Sequence, residues 1–154
     1  MEWRLVVDQS RHAQEHMLID NGLARAEVPS VRWFVWNPPA ISLAWKQPHP
    51  DWLKISQWEA QGLEVVERPT GGGIAFHGSD ISLAVVVPHR IPMTLAEIMA
   101  AICDSVVRLC RALGVEATTC DIPGEERITY CLAQPSTYAI IVGSKKLAGF
   151  AIRR

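Results

Sequence analysis

The sequence predicts an α+β domain with a mostly antiparallel sheet. Short β-rich runs alternate with helical stretches along the chain, and the last residues have the pattern of a β-hairpin. No internal repeat or low-complexity linker divides the chain, and 154 residues with 49% hydrophobic side chains are enough for one buried core. We therefore expect residues 1–154 to form a single domain.

The first predicted elements are a helix and two strands. Apolar residues recur among charges over residues 10–26, and Ser10 is a suitable N-cap for a helix there. Two β-rich runs follow at 31–36 and 40–45. The Asn-Pro-Pro sequence between them must turn, so we expect a strand pair.

A short helix and two further strands are predicted next. Residues 55–62 read as a helix that ends at its glycine, 63–68 as a strand, and 81–88 as a buried strand closed by its proline. The three consecutive glycines at 71–73 therefore lie between two strands.

A longer helix is predicted from Thr94 to Leu113. Thr94 and Glu97 form a capping-box pattern at its start, and a glycine follows its last residue. Cys103 and Cys110 are seven residues apart on this helix, so we expect both to face the core. The chain then finishes as the hairpin, whose turn lies near Gly143-Ser144.

Composition excludes several classes of partner and location. The net charge is −1, with 15 basic and 16 acidic side chains and no block of like charge, so we expect no nucleic acid and no membrane partner. The N-terminal residues lack a signal-peptide pattern, and we expect a cytoplasmic protein. Four cysteines without a C-x-x-C pair indicate free thiols and no metal site.

The segment "HAQEH" at residues 12–16 matches the H-x-x-E-H pattern of one class of zinc metalloprotease. In that pattern two histidines bind zinc and the glutamate acts as base. Such short patterns arise readily on charged helix faces, and a solvated helix side is the favoured interpretation. No phosphate-binding P-loop pattern and no G-x-G-x-x-G pattern occurs.

The segment "ERPTGGGIAFHG" is a candidate binding loop. A turn or bulge usually needs one glycine, whereas three in a row remove every Cβ and let a ligand lie against the backbone. Arg68 before them could hold an anion or carbonyl, or could simply be solvated. His77 after them could orient a neighbour or transfer a proton, although a lone histidine is more often structural.

A second candidate lies in "YCLAQPSTYAIIVGSKKLAG". Cys131 stands before a Pro-Ser turn and outside the long helix, so it is the cysteine least expected in the core. A nearby ammonium group would lower its pKa and favour the nucleophilic thiolate. Lys145 and Lys146 follow one strand later and must point to opposite faces, so only one of them can enter a site with Cys131.

Several ordered motifs together resemble the family of lipoate-protein ligase A and octanoyltransferases, which is related to biotin-protein ligases. The glycine segment is similar to the family's R-R-x-[TS]-G-G-[GR]-x-x-x-H motif. "HMLIDNGLA" is similar to its N-terminal helix, and "VRWFVWNPPAISLAWKQ" to its R-x-x-x-W-x-P-P-x-x-S-L-G-x-x-Q segment. "CLAQPSTYAIIVGSKKLAGFA" is similar to its C-F-x-x-P-S-x-Y and G-x-K-x-A-G-x-A segment. The resemblance covers nearly the whole chain.

The resemblance implies a mixed, largely antiparallel sheet flanked by helices, as in biotin and lipoate protein ligases, with a tunnel for an eight-carbon acyl chain. It also implies which residues form the site. The catalytic residues would be Cys131 and Lys146, with Lys145 pointing outward. The substrate-binding residues would be Arg68, Thr70, Gly71, Gly72, Gly73, His77 and Gly149.

Two reactions are implied by the family. An octanoyltransferase moves octanoate from octanoyl acyl carrier protein to a cysteine thioester, and then to a lysine of a lipoyl domain of a 2-oxoacid dehydrogenase or of the glycine cleavage H protein. It needs no cofactor. A lipoate-protein ligase instead uses ATP and Mg²⁺ to make a lipoyl adenylate. Cys131 matches the transferase branch, which we expect here.

The chain also departs from the family pattern. Ala44 replaces the glycine of S-L-G, Ala139 follows the tyrosine where an acidic residue is usual, and Ile152 replaces a common glutamine. Family members continue beyond the position of Arg154, so we expect a C-terminally incomplete domain or a C-terminal partner subunit. A non-catalytic acyl-binding subunit of a split enzyme is therefore a third hypothesis.

Overall fold

The structure is a computed structural model that describes residues 2–120 and 137–153. In these ranges it has nine strands and three helices. In chain order they are β1 (Arg4–Val7), α1 (Ala13–Ala26), β2 (Ser30–Phe34), β3 (Ala40–Leu43), α2 (Ile55–Glu59), β4 (Glu64–Glu67), β5 (Ala75–His77), β6 (Ser82–Val86), α3 (Leu95–Ala112), β7 (Thr118–Thr119), β8 (Ile140–Val142) and β9 (Lys145–Ala148).

The chain forms two compact units. The first comprises Met1–Pro69 and Ala75–Pro92, and the second comprises Thr70–Ile74 and Met93–Arg154. The glycine segment thus belongs to the second unit, although the residues on both sides of it belong to the first.

The first unit contains two three-stranded sheets. One has the order β1-β2-β6, with β1 parallel and β6 antiparallel to the central β2. The other has the order β4-β3-β5, with β4 parallel and β5 antiparallel to the central β3. Helix α1 contributes to the core between these elements, whose buried members are Ala13, Met17, Phe34, Trp36, Ala40 and Val66.

The second unit contains the antiparallel sheet β7-β8-β9 and helix α3. The buried residues of α3 recur at helical spacing and so lie on one face of the helix, which packs against this sheet. The buried members of this core are Cys103, Val107, Cys110, Ala117 and Ile140. The predicted inward orientation of Cys103 and Cys110 is confirmed.

The predicted fold class is confirmed, since four of the six strand pairings are antiparallel and two are parallel. The predicted pairing of the strands at 31–36 and 40–45 is wrong. Both strands form, but β2 and β3 lie in different sheets. Pro38 and Pro39 between them lack the N–H groups that a continuing ladder would need.

The start of α1 also differs from the prediction. Its N-cap is His12 and not Ser10, because Arg11 still forms a parallel bridge to Trp36 and the backbone there is extended. The Glu15 carboxylate accepts the backbone N–H of His12 at 3.2 Å, which satisfies a donor at this helix end.

Strand β6 is half-exposed along most of its length, so the prediction of a buried strand at 81–88 is also wrong. Among the residues that the structure describes, it is an edge strand of its sheet, paired with β2 on one side. Helix α3, with 18 residues, is the longest helix of the described ranges, and charged residues are distributed along it. No helix in those ranges is both long enough and apolar enough to cross a bilayer.

Candidate functional site

The glycine segment has one position where the backbone itself requires glycine. Gly72 has a φ of 97°, a conformation that side chains with a Cβ rarely adopt. At Gly71 a Cβ would meet no atom within 4 Å, so that position is open. Gly71 and Gly72 are exposed, Thr70 is half-buried and Gly73 is buried. The segment therefore presents accessible backbone, as a binding loop would.

Arg68 directly follows β4 and is 9% exposed. Its Nη1 donates to the main-chain oxygen of Ser42 at 3.0 Å and to Ser42 Oγ at 3.2 Å. Ser42 lies in the middle of the central strand β3 and is 1% exposed. The sequence left a solvated arginine open as an alternative, and the burial and two hydrogen bonds of Arg68 rule that alternative out.

His77, at the end of β5, is held on three sides. Its Nε2 lies 2.8 Å from Ser42 Oγ, and its Nδ1 lies 2.8 Å from an oxygen of Asp80. The ring stacks on Trp36 with centroids 4.1 Å apart and planes at 16°. The indole N–H of Trp36 in turn donates to Ser82 Oγ at 2.8 Å. Both ring nitrogens of His77 are thus engaged inside the protein.

Four side chains therefore form a continuous hydrogen-bonded chain, which we call the polar chain: Arg68, Ser42, His77 and Asp80. All four belong to the first unit. Sequence reasoning identified Arg68 and His77 but missed Ser42 and Asp80. The available signals were the serine of the S-L-G motif and a carboxylate three residues after the histidine.

Asp80 is the acidic end of the polar chain. Burial would raise the pKa of Asp80, but the hydrogen bonds from His77 and from the backbone N–H of Gly78, at 2.9 Å, outweigh it. The pKa of this carboxyl therefore lies below its ordinary value, and Asp80 is ionised at neutral pH.

A second polar cluster surrounds Arg32, which has no exposed surface. Its guanidinium donates to Asp8 at 2.8 Å and to Asp20 at 2.7 Å, and it lies 4.2 Å from the ring centroid of Phe34. Hydrogen bonds from Arg11, with those from Arg32, hold the pKa of Asp8 well below its usual range, whereas burial raises the pKa of Asp20. This cluster was also missed from the sequence.

The two histidines of "HAQEH" have different partners in the structure. The ring of His12 pairs with the Glu64 carboxylate. His16 is fully buried, accepts from Arg32 through Nδ1 at 2.6 Å and donates to the Val35 carbonyl through Nε2 at 3.0 Å. The prediction of a solvated helix side is therefore wrong for His16. Within residues 2–120 and 137–153, no group of three or more candidate ligands could hold a metal ion.

In the second unit, Lys146 is half-buried and Lys145 is exposed, so the predicted alternation of the two lysines is confirmed. Gly149 follows β9 and is half-buried. Cys131, the predicted nucleophile, lies outside the described residues.

Burial restricts access to the thiols of the three described cysteines. Cys103, Cys110 and Cys120 are free thiols, as predicted, and all are buried. Burial raises the pKa of the Cys103 thiol, whose Sγ contacts the carbonyl of Tyr138 at 3.2 Å. A buried thiol with a raised pKa forms little thiolate at neutral pH.

One open cleft of about 390 Å³ lies on the first unit, beside the start of α1. It contains none of the predicted site residues, so it does not support the acyl tunnel. Its lining residues are Ala13, Gln14, Pro38, Glu59, Gly62, Leu63, Glu64, Val65 and Val66.

Curated relatives cover almost all of this chain. The octanoyltransferase LipM of Kyrpidia tusciae is 30% identical over 99% of the chain and 61% of the relative. That of Symbiobacterium thermophilum is 32% identical over 99% of the chain and 60% of the relative. The chain thus spans about 60% of the length of these curated relatives.

Solved structures show the same fold. A lipoate-protein ligase A bound with ATP superposes with a TM-score of 0.82 at 22% identity, over 100% of this chain and 62% of that one. The bi-partite lipoate protein ligase of Thermoplasma acidophilum, described with its E2 lipoyl domain, gives 0.78 at 19% identity, over 100% and 57%. Residues 11–154 also match the lipoyl protein ligase A/B catalytic domain. The chain therefore belongs to the family of lipoyl protein ligase A/B catalytic domains.

Proposed function

We propose that this chain carries the acyltransferase site of a protein lipoylation enzyme. The donor is octanoyl acyl carrier protein, and the acceptor is the lysine of a lipoyl domain. The observation that carries the proposal is the similarity to octanoyltransferases, at 30–32% identity over 99% of the chain. The sequence motif around Cys131 supports the same reaction.

The proposed reaction has two balanced steps. Cys131 loses its proton, the resulting thiolate attacks the carbonyl of the octanoyl thioester, and the carrier leaves as its thiol after taking up that proton. The neutral acceptor amine then attacks the new thioester, an amide forms, and the proton lost by the amine restores the Cys131 thiol. The acyl group arrives activated, so no ATP is consumed.

Lys146 is the proposed electrostatic activator. Its ammonium group would stabilise the thiolate and the oxyanion of the tetrahedral intermediates, which are the points where negative charge develops. Its half-buried position, next to the exposed Lys145, supports this role because partial burial strengthens an electrostatic interaction. The burial of the three other cysteines supports Cys131 as the nucleophile.

The proposed acyl-binding residues are Arg68, Thr70, the three glycines, His77 and Gly149. Exposed backbone at Gly71 and Gly72 supports contact between a ligand and main-chain N–H groups. The two hydrogen bonds that hold Arg68 support a fixed donor for a carbonyl or carboxylate.

The alternative is an ATP-dependent lipoate-protein ligase, and the fold similarity to the ligase bound with ATP favours it. ATP with Mg²⁺ would supply activation of the lipoate carboxyl as an adenylate. Lys146 would then contact the activated carboxyl and its phosphate, and Cys131 would not be needed.

The deciding experiment is intact mass measurement after incubation with octanoyl acyl carrier protein without ATP. We expect one octanoyl adduct that hydroxylamine removes and that Cys131→Ser abolishes. Lys146→Ala should slow adduct formation about 100-fold, as loss of one group that stabilises an oxyanion does. Lys145→Ala is the matched control and should change the rate little.

Two results would contradict the transferase proposal. A folded protein that forms no adduct, yet releases pyrophosphate from ATP in the presence of lipoate and Mg²⁺, would be a ligase. Octanoate-induced stabilisation without an adduct or turnover would instead support an acyl-binding subunit.

A further inference from the structure

The polar chain has one hydrogen-bond direction from end to end. An ionised Asp80 only accepts, so the Nδ1 of His77 must carry the proton of that 2.8 Å contact. In this Nδ1–H tautomer, His77 accepts at Nε2 from the Ser42 hydroxyl. Ser42 Oγ in turn accepts from Nη1 of Arg68. Each group donates to the next one, and the series ends at the carboxylate.

Such a series is cooperative, because each polarised donor strengthens the next bond. The carboxylate at the end sets the direction of all the others. If Asp80 could donate, the opposite tautomer of His77 would become available and its Nε2–H would point at Ser42 Oγ. The Ser42 hydroxyl hydrogen would then have to turn away from His77, towards the side from which Arg68 donates.

Ser42 also fixes the guanidinium of Arg68 through its main-chain oxygen, at 3.0 Å. The position of the main-chain oxygen is set by strand β3, whereas the bond to Oγ depends on the orientation of the Ser42 hydroxyl. The Nη1 group of Arg68 therefore has one anchor set by the backbone and one set by the polar chain. Both anchors restrict the orientation of the guanidinium.

We infer that Asp80, His77 and Ser42 are positioning residues that orient the Arg68 guanidinium. The contribution of His77 to acyl binding is then indirect and acts through Arg68, because both of its ring nitrogens are already engaged and one face of its ring stacks on Trp36. The consequence for acyl binding rests on the proposed function of Arg68. The inference that the three residues orient Arg68 is independent of that function.

The same geometry, a serine, a histidine and an aspartate in series at 2.8 Å, is that of a hydrolase triad. Two observations disfavour a nucleophilic Ser42. It is 1% exposed, and its oxygen already accepts from Arg68. A nucleophile must reach the substrate carbonyl, so burial favours the positioning role.

The first test is nuclear magnetic resonance of the full chain with ¹⁵N-labelled histidine and arginine. Arg68→Lys and His77→Gln assign the signals among the five histidines and the arginines. We expect the Nδ1–H tautomer for His77 and slowly rotating, resolved guanidinium signals for Arg68. Asp80→Asn and Ser42→Ala should both speed the rotation of the Arg68 guanidinium and broaden its signals, although the bond to the main-chain oxygen of Ser42 remains.

The controls are Ser79→Ala and Asp51→Asn, which change exposed residues of the same unit and should leave both sets of signals in place. If Asp80→Asn alters the tautomer of His77 but leaves Arg68 resolved in a folded protein, the inference is overturned. Labelling of Ser42 by a fluorophosphonate would overturn it as well, in favour of a hydrolase triad.

The second test is the affinity for sodium octanoate, measured by calorimetry in a double-mutant cycle. Asp80→Asn should weaken binding about 3- to 10-fold, and the same change in an Arg68→Lys background should have little further effect. An equal loss in both backgrounds would show that Asp80 does not act through Arg68. If wild-type protein binds no octanoate, the proposed acyl-binding role of Arg68 fails, while the magnetic resonance result still decides the inference about its orientation.

Discussion

Arg32 shows how one buried charge can set the protonation state of its neighbours. Its guanidinium is always charged, so the Nδ1 of His16 must accept from it, and the His16 ring is neutral in the folded protein. Burial is the largest cause that lowers the pKa of His16. Because the pKa of His16 is lower in the folded protein, the stability that its neutral ring contributes is complete above the ordinary value of 6.5. This stability is lost as the pH falls below that value.

We therefore expect the free energy of unfolding to decrease as the pH is lowered from 7.5 to 5.5. His16→Gln should remove this dependence, since an amide can accept from Arg32 and donate to Val35 without titrating. Urea unfolding at several pH values measures it. His12→Gln is the matched control. The pKa of His12 is raised by its hydrogen bond with Glu64, so its contribution is present at low pH and lost as the pH rises. A wild-type protein equally stable at both pH values would contradict the prediction.

The glycine segment offers a second matched pair at the residue scale. Gly72→Ala should destabilise the protein by about 1–2 kcal/mol, because an L-residue is strained at its φ of 97°. Gly71→Ala should be nearly neutral, since a Cβ there meets no atom within 4 Å. Urea unfolding of both variants checks the difference, and equal losses at the two positions would show that backbone strain is not the cause.

The sequence identified two of the four residues of the polar chain. Arg68 and His77 lie beside the glycines and could be identified. Ser42 and Asp80 were missed although Ser42 lies in the S-L-G motif, because Ser42 meets His77 only through the pairing of β3 with β5, 35 residues along the chain. Arg32 looked like an ordinary strand residue, because its burial depends on Asp8 and Asp20 in other elements.

Among the elements, α3 was predicted most closely, from Thr94 to Leu113 against Leu95–Ala112 in the structure. Its start depends on contacts between neighbouring residues, which a sequence shows directly. Thr94 Oγ1 accepts the N–H of Glu97 at 3.3 Å, and the Glu97 carboxylate accepts the N–H of Thr94 at 2.7 Å. The sheets were predicted less well, since strand partners such as β2 and β6 are distant in the chain.

Thr94→Ala should lower the free energy of unfolding by about 1 kcal/mol, the usual cost of losing an N-cap. Thermal and urea unfolding measure this loss. Ser105→Ala is the control, because Ser105 is exposed within the same helix and its hydroxyl bonds only to the carbonyl of Ala101. A loss as large in the control would indicate that removal of any hydroxyl from this helix, and not loss of the cap, is responsible.

At the scale of the whole molecule, the fold class and the family could both be predicted from the sequence. Ordered motifs over most of the chain indicated the family, and the match over residues 11–154 confirms it. The division into two units could not be predicted, because its boundaries follow Pro69, Ile74 and Pro92 and no linker composition marks them. The single domain over residues 1–154 stays a prediction.

The interleaving of the two units limits where the gene can be recombined. Residues 70–74 belong to the second unit, but their codons lie between those of the two segments of the first unit. A crossover after codon 92 would therefore combine the glycine segment of one parent with α3 and the hairpin of the other. Chimaeras between relatives should therefore tolerate that crossover only when residues 70–74 come from the same parent as residues 93–154. Soluble yield of paired chimaeras, with and without the five matched codons, would measure this dependence.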